Sequence, residues 1–411
     1  MSRRTRRSGS AFIYALAVVV GLIAMLTGLT VSQRGEIRRV ARQSQDNRIE
    51  VLLRSGLDRA LAELAVLATE SPTLLSDDWA LLGQEGGEPF VVGRGRFRVQ
   101  ILDASSHLNL NTIDEEHLQR LPLSAEQIDS LLDWREEERA PRAQGAKDEF
   151  YNQLDPPYNA ALAPFETLEE LNLVRGFTPR RIYEPQEDVQ STVQLVAGST
   201  DQQPSLYDLL LPNSGGPNLG EGGQPKTNAS EGQIQVDGIP PNIAQAIVAA
   251  RPINSYSQML NLPGVNLEIA RAILDNLAPN GDERTEGTIN VNTASEAVLN
   301  SLPDMTPDLT EAILSRQQAG ITTLGELADL PGINLIVLGS LADRVRVASD
   351  TFLVRVLAEA GSARGSLEAL VRVEGGIPRV LKRWTPPFRD PAARWLWGEP
   401  GAETILVEPT E

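Results

Sequence analysis

The chain has no cysteine and only two histidines, His107 and His117, in 411 residues. A disulfide framework, a thiolate nucleophile and a zinc–sulfur site are therefore excluded. Two histidines also rule out a histidine-rich metal site or a His-x-x-x-His zinc motif, and leave little for a Ser-His-Asp triad. No catalytic constellation is visible, and the chain reads as a non-enzyme. Positive charge is scarce: 37 Lys and Arg face 55 Asp and Glu, a net charge of −18. Such a surface repels a polyanion unless a local basic patch reverses it. The basic residues crowd the N-terminus, at Arg3, Arg4, Arg6 and Arg7.

What the chain does have is an uncharged run of 21 residues, Ala11 to Val31. As a helix it is about 31 Å long, enough to cross a hydrocarbon core. It is longer than the apolar core of a cleaved secretory signal, and no Ala-x-Ala follows it. Arg34, Arg38, Arg39 and Arg42 follow the run, so the positive-inside count is nearly balanced and sets no orientation. Beyond it, Ile37, Val40, Ile49, Leu53, Gly56, Leu57, Ala60, Leu61, Leu64 and Leu67 recur at helical spacing. The pattern predicts an amphipathic continuation to about Ala68, ended by Ser71-Pro72. Residues 10–70 thus read as one stem helix with a transmembrane part at 11–31. A plain anchor followed by a coiled linker is the alternative.

Phe90–Val92 and Arg96–Leu102 read as strands, and strand-like sequence returns only at Phe352–Leu357, Leu367–Val373 and Pro378–Trp384. The expected fold is α+β: the long N-terminal helix packs on a small antiparallel sheet, pilin-like, built from 85–104 and 348–384. A large α-helical insertion, 105–347, interrupts it. Its first part is 105–190, followed by a Gly-, Pro-, Ser- and Asn-rich flexible linker at 191–232 and a second part at 233–347. Residues 385–411 read as a Pro-rich, acidic, poorly ordered tail.

The insertion repeats itself. Leu108-Asn-Leu-Asn-Thr-Ile-Asp-Glu115 matches Ile289-Asn-Val-Asn-Thr-Ala-Ser-Glu296. Thr112 and Thr293, three residues before Glu115 and Glu296, are expected to open helices as capping boxes. A second motif occurs three times: Thr167–Leu171 leading to Gly176, Ser255–Met259 to Pro263-Gly264, and Thr323–Leu327 to Pro331-Gly332. A capping residue, helically spaced apolar residues and a closing left-handed glycine are the sequence form of a helix-hairpin-helix. Gly238–Ile247 resembles another second half.

Helix-hairpin-helix units that bind DNA aim backbone N–H groups at phosphate. Here the position two after the hairpin glycine is Thr178, Asn266 or Asn334, and thirteen acidic residues face six basic ones from Gly232 to Val347. Nucleic acid is a poor partner for that surface.

Taken in order, four features resemble the K-type minor pseudopilin family of the type II secretion system, also called general secretion pathway protein K. A basic leader, 1–9, ends at Gly9 against the apolar helix. The strand Phe97–Leu102 runs into Leu108-Asn-Leu-Asn-Thr112. Leu131-Leu-Asp-Trp134 leads through a charged run to Gly145-Ala146 and Phe150-Tyr151. Pro157-Tyr158 leads to Ala163-Pro-Phe165, Leu168-Glu-Glu-Leu171 and Gly176. The resemblance covers most of 1–183 and, more loosely, 289–384.

The resemblance implies a prepilin-type leader cut by a prepilin peptidase between Gly9 and Ser10. It also implies Tyr14 at mature position five, where major pilins carry glutamate. The protein would be a tip subunit of a secretion pseudopilus, supporting filament initiation and protein export across the outer membrane. Its partners would be other minor pseudopilins and inner-membrane secretion components. It would sit in the inner membrane as a single-pass protein, N-terminus cytoplasmic and large C-terminal domain periplasmic. In relatives, acids in the charged run can bind calcium; here Asp133, Glu138, Asp148 and Glu149 are the candidate ligands, against a reading as a solvated acidic loop. The chain departs from the family pattern at Glu136–Glu138, at Lys147 and in an added copy at 234–282. The competing classes are an extracytoplasmic, membrane-anchored helix-hairpin-helix protein of DNA-uptake type and a generic membrane-tethered scaffold.

Overall fold

The apolar spacing of the stem becomes one long helix, α1 (Ser8–Leu64), of which Ile49, Leu52, Leu57, Ala60 and Leu64 form a buried stripe. The computed structural model describes residues 8–67, 71–185 and 203–398, with side chains except at 8–11, 28–38, 40, 41 and 85. α1 stops at Leu64 in a turn closed by Ala65 N donating to Leu61 O (2.9 Å), four residues short of the expected Ala68, which lies outside the described residues.

The stripe lies on a five-stranded antiparallel sheet in chain order: β1 (Phe90–Val92), β2 (Gly95–Asp103), β3 (Thr351–Ala360), β4 (Ala363–Glu374) and β5 (Ile377–Trp384). Phe97, Val99 and Ile101 of β2 alternate toward α1 beside Val354, Val356 and Ala358 of β3. That alternation is the expected result of a pleat with one covered face. Helix and sheet approach closely at Gly56, where an added Cβ would sit 2.4 Å from Val356 Cγ1.

Residues between β2 and β3 form a helical mass around their own apolar core. It holds three similar circuits. In the first, Leu108-Asn109 pairs in parallel with Leu210-Leu211; in the last, Ile289-Asn290 pairs with Val345-Arg346. The asparagine two residues on bridges to a later segment: Asn111 exchanges hydrogen bonds with Phe165, and Asn292 with Ile321. The opening of the middle circuit was hidden in the sequence, where only its later part reads as the added copy at 234–282. Thr227-Asn228 pairs with Leu277-Ala278, Ser230 N donates to Asn228 Oδ1, and Ser230 Oγ exchanges hydrogen bonds with Ile253.

Several expectations are corrected. Thr112 and Thr293 do not cap: Asp114 caps Glu115–Leu118 and Ser295 caps Glu296–Ser301, while Thr293 Oγ1 donates to Asp103. The stretch 203–232 is not a flexible linker. Leu206, Leu209 and Leu210 are fully buried, and Gly215–Pro217 pairs with Arg284–Glu286; the rest of the expected linker, 191–202, lies outside the described residues. Nor is 385–398 a loose tail, because Trp395 and Trp397 are buried against Leu357 on the sheet face opposite α1. Residues 399–411 lie outside the described residues.

Candidate assembly surface

Residues 12–27 of α1 stand clear of the rest of the protein. Phe12, Ile13, Leu16, Leu22 and Leu26 are exposed apolar residues, and Tyr14 is 73% exposed. Gly9 and Ser10 lie in the first turn of α1; the leader residues 1–7 lie outside the described residues. Among the described residues no helix is long and apolar enough to cross a membrane. The expected span 11–31 falls partly on side chains outside that description.

The glycines that close the three repeated segments are left-handed: φ is +85° at Gly176, +90° at Gly264 and +78° at Gly332. Pro263 and Pro331 precede the latter two. The positions two further on are extended rather than left-handed. Thr178, Asn266 and Asn334 accept hydrogen bonds from Arg181 N (3.3 Å), Ile269 N (2.9 Å) and Val337 N (3.1 Å), capping the helices Pro179–Tyr183, Leu267–Asn276 and Leu335–Arg344. Those side chains thus occupy helix-terminal N–H groups that a phosphate would otherwise need.

The four acids Asp133, Glu138, Asp148 and Glu149 do not converge, and among the described residues no group of metal-ligating side chains does. Asp148 Oδ1 is taken by Ala160 N (2.9 Å). Asp133 is buried and accepts from Arg142 N (3.0 Å). The cation in this loop is Lys147, whose 6% exposed side chain places Nζ on the carbonyl oxygens of Asp133 and Glu136, 3.9 Å from the Asp133 carboxylate. Burial pushes Asp133 above the usual carboxylate range, opposed by the Arg142 N–H and by Lys147.

Where stem loop, sheet and insertion meet, Asp103 is wholly buried. Its Oδ2 accepts from Thr293 Oγ1 (2.6 Å), Ser349 Oγ (2.7 Å) and Asn290 Nδ2 (2.9 Å), and Oδ1 from Ser105 N (2.8 Å). Asn290 Nδ2 also reaches Thr73 O (3.0 Å). Burial raises its pKa while these donors oppose the rise. On the outer sheet face Glu368 accepts from Arg355 Nε (3.1 Å), Trp384 Nε1 (3.0 Å) and Tyr207 Oη, and Trp395 Nε1 donates to Tyr207 Oη (3.1 Å).

Sequence reasoning passed over both clusters, whose partners are far apart in the chain. His117 is a further buried group with a distant partner. The imidazole is buried against Ser301 Oγ (3.0 Å), and desolvation lowers its pKa to about 4.

A family model described as type II secretion system (T2SS), protein K, matches residues 107–184. The type II secretion system protein K of Klebsiella pneumoniae is 25% identical over 194 residues, covering 42% of this chain and 58% of that protein. The chain thus spans less than two thirds of that relative's length. The crystal structure of the GspK-GspI-GspJ complex from the enterotoxigenic Escherichia coli type 2 secretion system matches with a TM-score of 0.51 and 16% identity, over 85% of this chain and 99% of that one. At that identity the likeness is one of fold.

Proposed function

We propose that this chain, which belongs to the type II secretion system protein K family, acts as a minor pseudopilin at the tip of a secretion pseudopilus. The observation that carries the proposal is the stem: a 57-residue helix whose C-terminal part is packed on an antiparallel sheet, while the apolar side chains from Phe12 to Leu26 are bare. Bare apolar helix of that length needs lipid or neighbouring helices to cover it. In this reading 1–9 is a prepilin leader removed before Ser10, 11–31 crosses the inner membrane before extraction, and the remainder is periplasmic. Tyr14 in place of a carboxylate at mature position five suits a subunit with nothing above it in the filament. The insertion, read as helix-hairpin-helix repeats, is too bulky for an interior position and serves as a cap. Its partners are other minor pseudopilins, as in the complex of the E. coli relative.

Nucleic acid finds no support in the hairpins, whose following helices are capped by Thr178, Asn266 and Asn334. The test is the mature N-terminus. Membranes expressing the chain with its prepilin peptidase should yield Ser10 by mass spectrometry; an N-terminus left at Met1 or Ser2 defeats the reading.

A further inference from the structure

Beside the packed half of α1, a groove of about 680 Å³ opens between the stem and the end of the sheet. Along the helix it is lined by adjacent rows, Gln43, Asn47 and Val51 in one and Ser44, Arg48 and Leu52 in the next; Val92, Arg94 and Gly95 form the opposite wall. Leu52 is its buried floor, whereas Val51 is 60% and Val92 47% exposed, so apolar surface is left in contact with water. Arg48 and Arg94 are also exposed on this groove. Among the described residues neither forms an ion pair, although the neighbouring Arg54, Arg59 and Arg96 pair with Asp58, Glu63 and Glu359.

We infer that this groove seats an apolar helix of a different subunit of the same assembly, one that presents carboxylates to Arg48 and Arg94. The inference rests on the tip-subunit reading and adds to it a surface and a partner chemistry. Three considerations fix the occupant. The first is charge. Two arginines without ion pairs among the described residues border an apolar strip, and so favour a partner that brings carboxylates to them and orient it.

The second is shape. The groove follows α1 for ten residues, Gln43 to Leu52, a rise of about 14 Å, and a helix laid alongside another at about 8–10 Å fills such a channel. The third is the alternative of strand addition. β1, which borders the groove, has only three residues, Phe90–Val92, too few backbone groups to hold an added strand of ordinary length. Side chains must then carry the contact.

The absence of cysteine makes a single-site probe clean. The full-length chain carrying Asn47→Cys, labelled with a thiol-linked photo-crosslinker, is co-expressed in membranes with the other minor pseudopilins of its secretion system. The expected result is one adduct to a partner stem. Arg48→Glu together with Arg94→Glu should reduce that adduct, and co-purification of the partner, on the order of tenfold. Both arginines are exposed, so the charge-reversed chain should melt with the wild type. If the wild-type complex forms but Asn47 gives no adduct and charge reversal changes nothing, the groove assignment is overturned and the tip-subunit reading stands. An adduct between two copies of this chain also overturns it. If no complex forms and Ser10 is not exposed by processing, the tip-subunit reading fails and takes this inference with it.

Discussion

Asp275 and Asp343 hold equivalent positions on the helices Leu267–Asn276 and Leu335–Arg344, and each accepts from first-turn N–H groups of the helix that opens in the other's circuit. Asp343 accepts from Tyr256 N (2.5 Å), Ser257 N (3.2 Å) and Ser257 Oγ (2.6 Å), while Asp275 accepts from Gly325 N (2.7 Å). The middle and last circuits are thereby locked by a reciprocal exchange. Gly325 is required by it: a Cβ there would lie 2.4 Å from the Asp275 carboxylate oxygens.

This exchange predicts non-additive substitutions. Asp343→Ala leaves the Ser255 cap in place but unpairs the Tyr256 and Ser257 N–H groups of Tyr256–Leu260, and should lower stability by about 1–2 kcal/mol. Gly325→Ala should cost about 1–3 kcal/mol by overpacking, but much less in an Asp275→Ala background, where the clash is gone. Urea midpoints of the two single variants and the double variant measure the coupling. Equal losses for Gly325→Ala in both backgrounds would contradict it.

Lys147 is predicted to be the internal cation of its loop. Lys147→Met leaves the buried Asp133 carboxylate without a countercharge, a loss of about 3–5 kcal/mol. Asp133→Asn combined with Lys147→Met should recover much of that loss in thermal melting. Failure of the second change to restore any stability would mean that the ammonium acts through its main-chain carbonyl contacts alone.

His117 sets an acid limit. Its folded pKa of about 4 lies below the ordinary 6.5, so the unfolded chain takes up the proton first. The stability from keeping it neutral is therefore present above pH 6.5 and is lost as pH falls toward 4. At pH 5 the loss is about 2 kcal/mol for this one group. Urea midpoints at pH 7 and pH 5 should differ less in His117→Gln than in the wild type. The raised carboxyls of Asp103, Asp133 and Asp275 act in the opposite sense, gaining stability as acid neutralises them. The histidine variant separates the two effects.

Asp103→Asn turns one acceptor of a fully engaged carboxylate into a donor facing other donors, leaving buried polar groups unpaired at about 1–3 kcal/mol each. Hydrogen exchange should quicken at 73, 290–293 and 349–350, where the stem loop and the insertion join the sheet, ahead of the sheet itself. Uniform quickening along β2–β4 would argue against a local hub.

Local patterning made the stem stripe from Ile49 to Leu64 and the alternation of β2 readable, because helix and strand periods are written in neighbouring residues. The opening of the middle circuit, Thr227–Ser230, escaped because it sits in a Gly-, Pro- and Asn-rich stretch with loop-like composition. Its order comes from pairing with Leu277-Ala278, fifty residues away, which no local period records. Trp395 and Trp397 escaped for a similar reason: a Pro-rich tail looks unstructured until the sheet face that receives it is known. His117 and Asp103 depend on partners more than 180 residues distant. The spacing of Asp133, Glu138, Asp148 and Glu149 gave no hint that the intervening Lys147 would turn inward.

The sheet is written in two instalments. Asp103 must find Phe352 across 248 intervening positions of sequence, a span fixed by the register of β2 on β3. A chain delivered N-terminus first therefore exposes its stem for most of synthesis with no floor to rest on, because β3 to β5 emerge last. Nascent α1 and β2 are aggregation-prone surfaces during that interval. On the reading proposed above, in which the stem enters the bilayer, anchoring would do a second job: it would shield an incomplete fold until the ribosome has released the final strands.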